Sequence, residues 1–154
     1  MAVLQDVYDS FLAVIETDEW DTWTEWDREE DWFQLFLTAA VWFKFPRVNL
    51  EVAITRDSHG QVISREFLEP EAVTNAEVQI LALYMKIAWF NRVIDSWENL
   101  RPLYTEADFS PAKQLSEYGK RLENQQKRAR ELESIYYRSI GGKPFNYGRL
   151  AGGR

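Results

Sequence analysis

The segment from Val78 to Trp97 constrains the fold most, because its apolar residues occupy nearly every side of a helix. A helix of this kind has to be buried, so the other elements must pack around it. Just before it, Thr74 and Glu77 form a capping-box pattern, in which each side chain satisfies a free backbone donor of the other. The sequence therefore predicts a long core helix that starts close to Thr74.

Three further segments have the apolar periodicity of helices. A first helix is predicted near residues 2–16, and a second near 27–43, with acids in its first turn and Pro46 after its end. A last helix is expected from Ser110, the N-cap, and Pro111 to about Arg138, with a single apolar seam. Together these elements predict a mainly α fold, a bundle of about four helices.

A β-hairpin is predicted at about 48–67, because the apolar period there changes to two. Leu50, Val52 and Ile54 alternate with less apolar residues, and Asp57 to Gly60 supply the turn. An isolated two-stranded hairpin is marginally stable in water. We therefore expect it to pack on the helices or to project into a partner.

Residues 1–140 are predicted to form a single domain, and residues 141–154 a flexible C-terminal arm. The arm holds five of the seven glycines and no acid, which is typical of a segment without its own fold. Its apolar residues favour an arm that orders on a partner over a simple frayed end. The candidate docking residues are Lys143, Pro144, Phe145, Tyr147, Arg149 and Leu150.

Several classes of protein are disfavoured by composition. The chain has no cysteine, so it can have neither a disulfide framework nor a thiolate site. No apolar stretch approaches the roughly 18 to 20 residues of a membrane span, and the N-terminus lacks a secretory pattern. We expect a protein that is neither exported nor membrane-bound, and the host cytoplasm is allowed.

Charge is distributed unevenly along the chain, which carries a net charge of −7. Residues 1–34 contain eleven acids and one arginine, whereas residues 110–154 contain ten basic residues and four acids. Such asymmetry can join different patches of neighbouring copies in a ring. The sequence equally allows a contact between the two ends within one subunit.

Two groups of residues are candidates for a subunit interface. Trp20, Trp23, Trp26 and Trp32 lie among acids, where they could cage a cation or a sugar, although packing or an interface is favoured. On the last helix, basic residues recur every seven positions, forming either a solvated face or a site for an acidic neighbour or nucleic acid. The candidates are Trp20, Trp23, Trp26, Asp27, Glu30, Lys113, Lys120, Arg121, Lys127 and Arg128.

The usual signs of catalysis are missing from the sequence. There is no pattern of nucleophile and base, no metal-ligand cluster and no glycine loop of the type that binds phosphate. The lone histidine, His59, falls in the predicted hairpin turn, where an exposed polar residue is ordinary. We expect a protein that is not an enzyme and that needs no cofactor or metal.

The segment from Glu77 to Arg138 resembles the small head-to-tail connector proteins, or head-completion adaptors, of tailed bacteriophages. The N-terminal order of Tyr8, an acidic tryptophan stretch and Pro46 is also similar. The tail differs, because these connectors usually end soon after the last helix. The matching pattern comprises Glu77, Ile80, Leu81, Ala82, Met85, Trp89, Asn91, Arg92, Ser96, Glu98, Arg101, Tyr104, Asp108, Phe109, Ser110, Tyr136, Tyr137 and Arg138.

This resemblance implies a homo-oligomeric ring, expected to be dodecameric, in the virion neck. Such a ring binds beneath the portal protein, with a stopper or tail-terminator protein below it, and double-stranded DNA passes through without sequence-specific contact. Assembly would take place in the host cytoplasm. The alternative from composition is a soluble, non-catalytic binding module, such as an acidic phage regulator that mimics DNA.

Overall fold

The computed structural model describes residues 1–100, 109–140 and 143–144. Its helices are α1 (Leu4–Leu12), α2 (Glu25–Trp42), α3 (Asn75–Leu100) and α4 (Phe109–Arg138). Strands β1 (Val52–Arg56) and β2 (Val62–Phe67) form an antiparallel hairpin, and a shorter pair joins β3 (Ser139–Ile140) to β4 (Lys143–Pro144). The predicted mainly α fold with a β-hairpin between α2 and α3 is confirmed. No helix in these ranges is both long and apolar enough to cross a membrane.

Helix α3 forms the centre of the fold, as its apolar pattern predicted. Helices α1, α2 and α4 all pack against it. Its buried residues lie on successive turns and on several sides, so each neighbour covers a different part of one apolar surface. They are Val78, Ile80, Leu81, Ala82, Leu83, Met85, Ile87, Ala88, Trp89 and Phe90.

Helix α2 runs antiparallel to α3. In the first half of α2, Asp31 accepts a hydrogen bond from Arg92, in the second half of α3. At the other end, the ring of Phe43 lies 5.4 Å from that of Tyr136, whose hydroxyl donates to Glu77 in the first turn of α3. The end of α2 therefore lies near the start of α3.

Helix α4 is also antiparallel to α3. Near the start of its described side chains, the Tyr118 ring lies 6.1 Å from that of Phe90, late in α3. One turn from the end of α4, Glu133 accepts a hydrogen bond of 2.6 Å from Tyr84, earlier in α3. Since α2 and α4 both oppose α3, they point in the same direction.

A buried carboxylate, Glu77, connects the start of α3 to the end of α4. Only 3% of Glu77 is exposed. Its carboxylate accepts hydrogen bonds from the Thr74 backbone N–H at 2.9 Å and the Tyr136 hydroxyl at 2.8 Å. The Arg47 backbone N–H donates to the same tyrosine oxygen at 2.8 Å. The Thr74 hydroxyl donates to the Glu77 carboxylate as well. The other partners are fixed by backbone or by a packed ring, so the end of α4 has one defined position.

The hairpin packs on the helices rather than projecting from them. Phe67, at the end of β2, is 3% exposed, and its ring lies 5.8 Å from that of Phe36 on α2. In the turn, Asp57 Oδ1 accepts hydrogen bonds from the backbone N–H groups of His59 and Gln61. Gly60 adopts a φ of 82°, a left-handed conformation that glycine favours.

The helix ends differ in detail from the sequence expectations. Helix α1 ends at Leu12, although Ile15 still packs on the core, so the apolar period there continued past the helix. Helix α2 starts at Glu25 because Thr24, an overlooked N-cap, accepts from the Asp27 N–H. Helix α4 starts at Phe109, which places the expected N-cap Ser110 inside its first turn.

Replacing Tyr136 with phenylalanine should destabilise the fold by about 1–3 kcal/mol, because buried Glu77 loses a donor. Burial, together with Glu77, raises the pKa of Tyr136 to about 12 despite an opposing bond from Arg47. The neutral hydroxyl therefore stabilises the fold below the ordinary tyrosine pKa of 10.0, and this contribution is lost as the pH rises to about 12.

Urea denaturation at several pH values measures both effects. Tyr118→Phe is the matched control, because no hydrogen bond to its hydroxyl is found among the described residues. Equal stability of Tyr136→Phe and the parent protein at neutral pH would contradict the assignment.

Candidate assembly surfaces

The acidic tryptophan segment, residues 18–32, is fastened to α3 by Arg92. The Arg92 guanidinium donates to Asp31 at 2.6 and 3.0 Å and to Glu19 at 3.1 Å. Two indole N–H groups complete the network, Trp20 to Asp31 and Trp89 to Glu19, each at 2.8 Å. Burial alone would lower the pKa of Arg92, but the hydrogen bond and charge of Asp31, together with Glu19, raise it.

The tryptophans of this segment have separate environments. Trp20 is 4% exposed, and its ring lies 5.9 Å from Phe11 and 6.0 Å from Trp32 in edge-on contacts. Trp20 therefore packs inside the subunit, where it offers no surface to a partner. Trp23 and Trp26 remain 39% and 46% exposed.

The outer face of α2 carries the other acidic candidates. Glu30 forms an ion pair with Arg65 of β2, and the Arg65 guanidinium lies 5.6 Å from the centre of the Trp26 ring. Asp27 is exposed, and its carboxylate accepts a 2.6 Å hydrogen bond from the Thr24 hydroxyl. Glu30 is therefore largely neutralised within the subunit, whereas Asp27 keeps its charge at the surface.

The predicted basic residues form an exposed surface on α4. Lys120, Arg121, Lys127 and Arg128 are all exposed. Lys113 lies in the same helix, but its side chain is outside what the structure describes. The concentration of charge affects neighbouring α3, where burial, with Arg128 and Arg121, lowers the pKa of Lys86.

Among the side chains that the structure describes, no ion pair joins the α4 basic surface to the acidic segment of the same subunit. In residues 1–96 and 115–139, whose side chains the structure describes, the ion pairs are Arg65–Glu30, Arg92–Glu19 and Arg92–Asp31. None of them includes a cation of α4. The contact between the two ends of one subunit, which the sequence allowed, is therefore not found in these residues.

Large apolar side chains are exposed towards the C-terminal ends of α2 and α4. None of them was among the residues predicted to form an interface. Val41 is 76% exposed and Phe45 is 72% exposed, while Ile135 on α4 is 62% exposed. The sequence contains a signal for this exposure on α2, because the helix has more apolar residues than one buried face needs. Exposed apolar side chains of this size are available for contact with a protein partner.

Arg47 holds in place the end of α4, from which the predicted C-terminal arm would begin. Its guanidinium donates to the Tyr137 carbonyl at 2.8 Å and to the Ser139 carbonyl, and it lies 5.1 Å from the centre of the Tyr136 ring. Of the docking candidates, Lys143 and Pro144 form β4, which pairs with β3. Phe145, Tyr147, Arg149 and Leu150 lie outside the described residues.

Among the residues that the structure describes, there is no group of three or more aspartate, glutamate or histidine side chains that could hold a metal. His59 lies exposed in the hairpin turn. No family model, curated protein or solved structure matches this chain.

Replacing Asp31 with alanine should destabilise the protein by about 1–3 kcal/mol, because both Arg92 and the Trp20 indole lose their acceptor. Asp21→Ala removes an exposed acid from the same segment and serves as the control. Thermal unfolding of the two variants measures the difference. Identical unfolding midpoints would show that this network does not hold the segment.

Proposed function

We propose that this chain is a structural protein of a phage neck, in which copies join head to tail into a ring beneath the portal. The observation that carries the proposal is the separation of charge on the subunit surface. Asp27 on α2 and the cations of α4 have no ion-pair partner among the described side chains. A heterologous interface joins two different patches, so complementary charges on one subunit favour ring closure.

The location in a phage neck is proposed from the resemblance of residues 77–138 to connector proteins. The mainly α fold is compatible with that resemblance. A ring of this class, expected to be dodecameric, would hold the portal on one side and a stopper or tail terminator on the other. The overall charge of −7 suits a channel for DNA, because a predominantly acidic protein adds few strong phosphate contacts. The α4 cations, engaged by a neighbouring copy, would be kept from the passing duplex.

The C-terminal arm is proposed to dock on the portal. Arg47 fixes the end of α4, so each subunit of a ring would direct its arm from an equivalent position. Phe145, Tyr147 and Leu150 would bury apolar area on the portal and Arg149 would supply charge, which together offset the entropy lost when the arm becomes ordered.

A DNA-mimicking regulator is the alternative, and the ion pairs of the subunit argue against it. A mimic needs acids that are free to stand in for phosphates. Three of the seven acids of residues 19–31 are instead paired, Glu19 and Asp31 with Arg92, and Glu30 with Arg65. Their charge is used to hold the subunit together, which is compatible with a structural role.

Removal of residues 145–154 should abolish binding to the portal protein encoded in the same genome while leaving the unfolding midpoint unchanged. This truncation retains the β3–β4 pair, so the end of α4 keeps its neighbours. Co-purification of the two proteins measures the binding. The matched control removes only residues 151–154, which keeps Phe145, Tyr147 and Leu150, and it should bind as the full chain does. Undiminished portal binding by the longer truncation would refute the docking role.

A further inference from the structure

We propose that α4 of one copy lies parallel to α2 of the next copy, with Arg121 opposite Asp27 and Ile135 opposite Val41. The proposal rests on the proposed ring and names the surfaces that would close it. The occupant of each exposed helix face is therefore a second copy of this chain.

The outer face of α2 changes from acidic to apolar along its length. Asp27, Gln34 and Val41 recur every seven residues, so they lie along one line of the helix, and all three are exposed. Val41 is 76% exposed, and Leu37 beside it is 41% exposed. The line therefore runs from a carboxylate, through an amide, to an apolar end.

The outer face of α4 has the complementary order. Arg121, Arg128 and Ile135 also recur every seven residues and are exposed. Ile135 is 62% exposed, so most of its apolar surface is open to a neighbouring molecule. Glu131 is displaced by about 40° around the helix from Ile135, which places it at the edge of the line. This line therefore runs from two cations to an apolar end.

The two lines match in length. Only a parallel orientation of the two helices pairs opposite charges at one end and apolar side chains at the other. Asp27 to Val41 and Arg121 to Ile135 each span fourteen residues, which is about 21 Å of helix. A parallel arrangement places opposite charges together at one end and apolar side chains together at the other. An antiparallel arrangement would place each charge against an apolar side chain, which costs desolvation without a compensating partner.

The subunit already provides the parallel direction. Helices α2 and α4 both run antiparallel to α3, as the contacts of Asp31 with Arg92 and of Tyr118 with Phe90 show. In a ring of many copies, each step is a small rotation. Such a rotation leaves α4 of one copy and α2 of the next pointing in nearly the same direction, so the proposed pairing is compatible with closure.

Disulfide cross-linking tests the alignment directly, because the chain has no cysteine of its own. Val41→Cys and Ile135→Cys are made in separate full-length chains, one of which carries a size tag, and the two are mixed with the portal protein and oxidised. A mixed dimer can then arise only between two copies. Val41→Cys mixed with Arg121→Cys is the matched control for the antiparallel arrangement.

A mixed dimer from positions 41 and 135, with little from 41 and 121, is the expected result. The reverse pattern would overturn the parallel alignment. Rings visible by electron microscopy without a link at either pair would overturn this interface while leaving the connector function intact. If neither rings nor links form, the connector function itself fails.

Charge reversal tests the other end of the alignment. Asp27→Lys or Arg121→Glu should each weaken association about two- to fivefold per interface, and the double variant should recover it. Asp21→Lys, which lies outside the line, is the control for net charge, and circular dichroism confirms folding. An equal loss from Asp21→Lys, or no recovery in the double variant, would overturn the pairing of Asp27 with Arg121.

Discussion

The hydrogen bond between Tyr136 and the buried carboxylate of Glu77 is the interaction on which the arrangement of the subunit depends. It joins the start of the central helix to the end of the last one, and Arg47 adds a bond to the same hydroxyl. A buried carboxylate is costly unless all its partners are in place, so it tolerates few alternative packings. The direction of α4, and with it the origin of the arm, follows from this junction.

The charged residues of the subunit fall into two groups. Some acids form ion pairs within the subunit, whereas other charged side chains remain exposed. Arg92 and Arg65 neutralise Glu19, Asp31 and Glu30, whereas the cations of α4 form no ion pair with the acidic segment in the described residues. Exposed charge can guide the approach of a partner, and exposed apolar side chains can be buried in contact with it. A protein that functions by assembly has use for both.

Local patterns in the sequence predicted the elements but not the contacts between them. The apolar run of α3 and the alternation of the hairpin were sufficient to predict both elements, because a continuous apolar run and an alternation have different periods. The alternation did not predict which side of the hairpin is buried, since Ile54 of the alternating set is 41% exposed. Tyr136 lies 59 positions from Glu77, and Asp31 lies 61 positions from Arg92, where no local pattern reaches. For the same reason Trp20 was placed among interface candidates, although tertiary packing buries it, and the exposure of Val41 and Ile135 was not anticipated.

We propose that many copies of this chain assemble around an axis on the portal. Electron microscopy of the complex between the full-length chain and the portal protein of the same genome tests it most directly. We expect a closed ring with one rotational symmetry, in which every position is occupied by this chain. A single copy bound to the portal, or a portal that never acquires a ring at saturating concentrations of this chain, would contradict it.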